Sequence, residues 1–246
     1  MDKAGHAYTT YFESKWVGDL YRWAGLPQRK AAYIGTAAGM LFQTSLEMLD
    51  GFSAQWGFSW GDMGFNALGA GLYLGQELAW QEQRIYGKLS IGRPPYSTAP
   101  LYSLSGNAQS SLAQRAENLY GRSLPELFFK EYNGQTIWLS INPSSFLAER
   151  PRWLPPWLNI ALGYGIENVF GAERNSWRNA DDEEFIAPSQ YRRYSQYYLS
   201  LDLDWERIPT RKPWLKGLFK VLNIFKFPFP SLEYNSLGQW RGRWLH

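Results

Sequence analysis

"YYLSLDLDWE", residues 197–206, decides what kind of fold the chain can adopt. Tyr197, Leu199, Leu201, Leu203 and Trp205 alternate with Tyr198, Ser200, Asp202, Asp204 and Glu206. Strand side chains point alternately to two faces, so the stretch specifies a β-strand with one apolar and one polar side. "QTIWLSIN" (135–142) and "WLNIALGYGIENVF" (157–170) repeat the pattern. Two environments produce it. One is an antiparallel sheet lying over an apolar core in water. The other is a membrane sheet whose apolar side meets lipid and whose polar side meets a lumen, for which strands of about 9–11 residues are long enough. Three strands fall short of the roughly eight that a closed barrel needs.

The totals narrow the class. A chain of 246 residues can bury a sizeable core, as one large domain or two small ones. The formal charge of +3, with no arginine-rich run among aromatics, gives no footprint for nucleic acid. The absence of cysteine excludes disulfides and thiolate zinc sites. The 13 Trp, 16 Tyr and 14 Phe exceed what a soluble core needs, and such rings suit bilayer interfaces or carbohydrate surfaces. No secretion signal is legible at the start, so the chain is cytoplasmic or begins inside a longer precursor.

The first third reads as three helices. One runs from residue 2 to about 23, closed by Gly25; a second spans about 28 to 49 after Pro27. In the second, Gly35 and Gly39 form a small-xxx-small pair, and the apolar stretch from Ala31 to Leu46 stops short of a full membrane span. A third helix is expected over about 61–88, capped by Ser59 with Asp62 at the capping-box position. Its Gly64, Gly69, Gly71 and Gly75 weaken helix propensity by up to about 1 kcal/mol each, which implies close packing of backbones. Beyond residue 89 the pattern gives turns, then short helices near 108–119 and at "SLPELFFKEYNG". Residues 171–195, with their Asp-Asp-Glu-Glu run, read as a long polar connection. Near 213–226, Trp214, Leu215, Leu218, Phe219, Leu222 and Phe225 fall at helical spacings beside Lys216, Lys220 and Lys226. That form suits an interfacial helix and a sheet-covering helix equally. "PSLEYN" adds a final edge strand.

Short connections make the three helices antiparallel neighbours. The start of the first, the end of the second and the start of the third then share one end of the bundle. Asp2 and His6, Glu47 and Asp50, and Asp62 and Asn66 are each spaced to share a helix face, with Lys3 and Ser59 beside them. The loop "GFSAQWGFSWGD" (51–62), with its repeated Gly-Phe-Ser, would cover this end. One imidazole among carboxylates can orient water or hold a divalent metal. The same residues also make a structural polar network of caps and ion pairs, and that is the heavier expectation. His6, Glu47, Asp50 and Asp62 are the catalytic candidates, and Asp2, Lys3, Ser59 and Asn66 the supporting ones.

"DKAGH" at 2–6, Glu47 and Asp50 ahead of the Gly-Phe-Ser loop, then Asn66 and "GAG" at 69–71 resemble the uncharacterised YfiM/DUF2279-like family of predicted periplasmic lipoproteins, of the type common in Bacteroidota. A fainter similarity reaches VanZ-like membrane proteins. The motifs cover roughly residues 2–75, while "INPSSF" and "YYLSLDLDW" are similar to the longer Bacteroidota members. The resemblance implies a periplasmic or outer-membrane location and no established activity. It places Asp2, Lys3, His6, Glu47, Asp50, Ser59, Asp62, Asn66 and Gly69 at the family's characteristic positions.

The expected architecture is α+β: a glycine-rich antiparallel helical module over 1–90, packed with a β-rich portion over 91–246 that is an antiparallel sheet or a partial or closed membrane β-structure. The expected role is that of a membrane-associated cell-envelope structural or interaction protein, with a lipid bilayer or an outer-membrane protein as partner and no nucleic acid. The alternatives are a metal-dependent or His/Asp-based hydrolase with a divalent metal as its cofactor, and a soluble carbohydrate-binding protein.

Overall fold

In the computed structural model, which describes residues 1–52 and 57–246, the chain opens with α1 (Asp2–Trp23), α2 (Gln28–Gly51) and α3 (Trp60–Ala79). There follow β1 (Ile85–Ile91), β2 (Leu101–Tyr102), β3 (Gln109–Ser110), α4 (Leu112–Tyr120), α5 (Leu124–Lys130), β4 (Gln135–Ile141) and β5 (Leu158–Glu167). The last part contains β6 (Ser176–Arg178), β7 (Glu184–Ile186), β8 (Tyr194–Leu203), α6 (Pro213–Leu222), β9 (Ser231–Asn235) and β10 (Trp240–Arg243). The main sheet has six strands in the order β1-β4-β5-β8-β9-β10, with β9 antiparallel to both of its neighbours, β8 and β10. Two small hairpins, β2–β3 and β6–β7, stand apart from it. The fold is thus α+β, with a packed helical bundle and an antiparallel sheet. Contacts group the chain into two units, Met1–Lys88 with Ile137–Ala161 and Leu201–Pro228, and Leu89–Thr136 with Leu162–Ser200 and Phe229–His246.

In the first unit the helices meet through small and polar residues. A Cβ on Gly35 would collide with the Ser14 carbonyl oxygen, and one on Gly39 with the Ser14 hydroxyl. A Cβ on Gly69 would strike the Ala7 carbonyl. These three glycines let the backbones touch, as the small-residue spacing predicts. The same is not true of Gly64, Gly71 and Gly75, around which a Cβ would meet nothing. The inner face of α2 is Ala31, Ala32, Gly35, Gly39, Gln43 and Glu47, while Tyr33, Ile34, Leu41, Phe42, Leu46, Met48 and Leu49 are exposed. Among the described residues, a small cluster of Tyr11, Phe12, Ala32, Tyr73 and Ile224 forms the conventional apolar core here. No helix among the described residues is long and apolar enough to cross a membrane.

The third helix ends nine residues earlier than expected, and β1 takes up the remainder. Gln76 accounts for this. Its Oε1 accepts from the amides of Arg84 and Ile85 at 2.9 and 2.8 Å, and its Nε2 donates to the Ile85 carbonyl at 2.9 Å. Gln81 turns the chain with a positive φ of 58°. A buried glutamine thus behaves as the strand partner for the first residues of β1, a tertiary effect that overrides a helical pattern.

The strands carry the expected alternation, but with the polar side buried. In the first unit Ser140, Asn142, Asn159, Asp202 and Asp204 are all buried, while Leu139, Ile160 and Leu201 are 45%, 42% and 46% exposed. Lys88 Nζ lies 2.8 Å from Asp202, and both side chains are fully buried. Ser140 Oγ donates to Asp202 at 2.6 Å, Asn159 Nδ2 to Ser140 at 2.9 Å, and Asn142 Nδ2 to Asn159 at 2.6 Å. The Phe227 amide donates to the other Asp202 oxygen at 2.9 Å. Each polar group on this face has a partner, which is the condition for burying it at all.

The second unit repeats the inversion. Gln196, Ser200, Glu233 and Asn235 are buried, whereas Leu162, Tyr197, Leu199, Leu232 and Tyr234 are exposed, with Tyr197 paired to Tyr234 and Leu199 to Leu232 across β8 and β9. Arg243 reaches Glu233, and Gln196 donates to Glu167 at 2.8 Å. The polar connection of 171–195 proves to be more than a loop. Trp177 and Phe185 stack across the β6–β7 hairpin at 5.7 Å and enter an apolar cluster with Leu112, Phe170 and Ala187. Asp181 and Asp182 are exposed beside its turn. "PSLEYN" does form a strand, β9, but β10 pairs outside it, so it is not the edge.

Two stability predictions follow from this packing. Gly35→Ala lowers unfolding free energy by about 1–3 kcal/mol, the range for overpacking a tight contact. Gly64→Ala, into open space, raises it by about 0.4–1 kcal/mol. Asp202→Ala destabilises by about 3–5 kcal/mol because Lys88 is left buried and uncompensated, and Lys88→Met in the same chain restores part of the loss. Denaturant unfolding of the four variants, followed by circular dichroism, reads both.

Candidate functional site

The end of the bundle shared by the start of α1, the end of α2 and the start of α3 gathers the acidic candidates. Ser59 caps α3, its Oγ accepting from the Asp62 amide at 3.2 Å. The Ser59 amide in turn donates to Glu47 at 3.0 Å, which ties α2 to the start of α3. Lys3 Nζ donates to Asp62 at 3.0 Å. His6 stands among these groups, with Nε2 3.5 Å from Glu47 and 4.0 Å from Asp2, and Nδ1 3.1 Å from Asn66 Oδ1. One ligand atom from each of Asp2, His6 and Asp62 can be chosen so that all lie within 4.8 Å of one another. Asp50, on the same helix as Glu47, is only half-buried, and its side chain makes no hydrogen bond or ion pair among the described residues. The covering role read for the Gly-Phe-Ser loop falls partly on residues 53–56, outside the described residues. Within its described part, the Phe58 and Trp60 rings meet edge to face at 5.0 Å.

Electrostatics favour a charged network. Burial pushes the Asp62 carboxyl up, but the Ser59 and Lys3 hydrogen bonds and the nearby His6 outweigh it and hold it below its ordinary 3.8. The Lys3 ammonium is raised by its hydrogen bond to Asp62. Glu47 is almost wholly buried, so its pairing with the Ser59 amide and His6 is what makes its position tolerable.

Asn66 bears on what His6 can do. Its Nδ2 is buried without a partner, while its Oδ1 sits against His6 Nδ1 and against Thr10 Oγ1 at 3.0 Å. The Thr10 hydroxyl proton is taken by the His6 carbonyl at 2.7 Å. With the amide turned over, Nδ2 donates to both His6 Nδ1 and Thr10 Oγ1, and the atom left without a partner is a carbonyl oxygen, the lesser penalty. In that orientation Nδ1 accepts, and a neutral imidazole carries its proton on Nε2, facing Glu47. Thr10 was not legible as a participant, because a threonine inside a helix carries no sequence signal of its own.

Because the folded Asp62 titrates below its unfolded value, its contribution to stability is complete above about pH 3.8 and is lost as pH falls through the folded value. The stability difference between the protein and Asp62→Asn therefore shrinks as pH falls below 4. Urea unfolding across that range measures it. A difference that instead grew on acidification would mean the carboxylate is not held by Lys3 and Ser59.

A family model described as predicted periplasmic lipoprotein (DUF2279) matches residues 1–75, which take in α1, α2 and most of α3 and therefore every candidate of this cluster. Curated proteins and solved structures yield no match to the chain. The first third of this chain is thus similar to the predicted periplasmic lipoproteins of that family, and the strand-rich remainder lies outside the match.

Proposed function

We propose that the protein is a membrane-associated structural component of the cell envelope, in the periplasm or outer membrane, whose apolar surfaces contact lipid. One observation carries this reading. In each unit the polar residues of the strands are buried and, Ser231 Oγ apart, hydrogen-bonded, while Leu139, Ile160, Leu162, Tyr197, Leu199, Leu201, Leu232 and Tyr234 of the other side remain some 40–50% exposed. Water favours the opposite arrangement, by about 25 cal/mol for each Å² of apolar surface covered. Hydrocarbon removes that preference and penalises any unpaired polar group instead, which is how lipid-facing sheets come to have polar interiors. The exposed face of α2, without a charged residue from Ala31 to Leu46, fits the same medium. The strand polarity supports a membrane β-structure; among the described residues the sheet is open, with β1 and β10 at its edges. The family description of residues 1–75 supports the envelope location. Stacking on sugars is supported less, because the exposed rings sit among exposed aliphatic side chains.

The second reading, a metal-dependent or His/Asp hydrolase, draws on the approach of Asp2, His6 and Asp62. One feature weighs against it: Lys3 already occupies an Asp62 oxygen.

Fractionation and reconstitution test the proposal. The protein is expected in the membrane fraction, resistant to high salt, and to float with phosphatidylcholine vesicles. A chain that stays monodisperse in detergent-free buffer and ignores vesicles overturns the lipid reading. Elemental analysis tests the rival: a stoichiometric divalent ion that His6→Ala and Asp62→Asn both abolish would replace the structural role with the hydrolytic one.

A further inference from the structure

The start of α2 carries a cationic pair that the bundle leaves unused. Arg29 and Lys30 are both exposed, and neither side chain makes an ion pair or hydrogen bond among the described residues. Glu77, a carboxylate at that end of the bundle, is buried and already engaged by Gln28 at 2.6 Å and by Arg22 at 3.8 Å. At the same end stand Trp23, the last residue of α1 and 84% exposed, and Tyr33, 53% exposed.

Helix geometry puts these cations on the same side as the apolar residues. At 3.6 residues per turn, Lys30, Ile34, Leu41 and Met48 (i, i+4, i+11 and i+18) point within about 40° of one another. Ile34, Leu41 and Met48 are all exposed. Exposed Phe42 and Leu49 run along one flank of this line, and Arg29 and Tyr33 begin the other. No charged residue interrupts the helix from Ala31 to Leu46. The outcome is one continuous surface, apolar along its length and cationic at its first turn.

We infer that the outer face of α2 lies in the headgroup boundary of an anionic membrane, with Arg29 and Lys30 on lipid phosphates and Ile34, Leu41 and Met48 against acyl chains. This rests on the lipid reading above and adds the class of lipid and the residues that select it. The complementarity is one of charge and depth together. Anionic phosphates match the unpaired cations, the headgroup region suits the Trp23 and Tyr33 rings, and hydrocarbon suits the row. A second copy of the chain fits less well. An antiparallel α2 from it would bring only Asp50, one half-buried carboxylate, toward two cations, whereas a leaflet supplies an acceptor to each.

Vesicle flotation of the full chain tests it, comparing phosphatidylglycerol with phosphatidylcholine. Two basic residues at an anionic surface are together worth about thirtyfold in affinity. Arg29→Gln/Lys30→Gln is expected to lose about that factor for phosphatidylglycerol and little for phosphatidylcholine. Arg29→Lys/Lys30→Arg, which keeps both charges, stays within about threefold. Leu41→Ser/Met48→Ser, which removes apolar contact, weakens binding to both vesicles by about tenfold; unchanged flotation of that variant takes the face off the membrane and overturns the site. Arg174→Gln/Arg192→Gln, the same charge change at exposed positions elsewhere, should have less than about a twofold effect; an equal loss there reduces the cationic pair to general attraction and overturns the site. Equal binding of both vesicles by the original protein also overturns it, while leaving the lipid reading intact. Absence of binding to either vesicle removes both, and a dimer that Leu41→Ser/Met48→Ser dissociates would then give the face to a second copy.

Discussion

The pairing of Lys88 with Asp202 is the constraint on which the strand arrangement rests. Both side chains are removed from solvent, and an isolated charge in that position is unaffordable. Asp202 must therefore accept from Lys88, Ser140 and the Phe227 amide together, and Ser140 must in turn be held by Asn159. Each of these contacts fixes which way its strand faces. A slip of one residue in β8 would turn Asp202 outward and Leu201 inward, leaving Lys88 alone in the interior. The inversion of apolar and polar sides is thus enforced by an ion pair.

The helical bundle solves the same problem with different means. Its interior is built from glycine, alanine, threonine, glutamine and a few paired charges, and close backbone approach replaces the interlocking of large side chains. The acidic cluster near His6 belongs to this style of packing. It fastens the end of α2 to the starts of α1 and α3, where helix ends would otherwise leave buried amides without acceptors. The cluster around Trp177 and Phe185 follows the opposite rule, with rings inside and the charges of the β6–β7 turn outside.

Periodicity made β4, β5 and β8 legible, along with the extents of α1 and α2, because spacing alone sets which residues share a side. It does not say which side is inward. That depends on the surrounding medium and on partners such as Lys88, more than a hundred residues from Asp202 in the chain. The convergence of His6, Glu47 and Asp62 was legible for a related reason: three short-linked helices bring fixed ends together. Asp50 shares its helix with Glu47 and still stays out of the network. The start of β1 was hidden because its stability comes from the side chain of Gln76, for which "QELAWQEQRIYGK" offers a plain helical pattern. The Phe170, Trp177 and Phe185 cluster was hidden because its rings are sparse in a polar stretch and meet only through a hairpin.

The separation between Lys88 and its partners has a consequence for biogenesis. Lys88 Nζ also donates to the Leu203 carbonyl, 115 positions away. Strand pairing of such range is slow, since loop closure precedes any gain from contact. Until translation has passed Phe227 the ammonium has no complete set of acceptors, while the leucine-rich sides of β4 and β5 are already synthesised. A nascent chain in that condition exposes unpaired strand edges and is prone to aggregate.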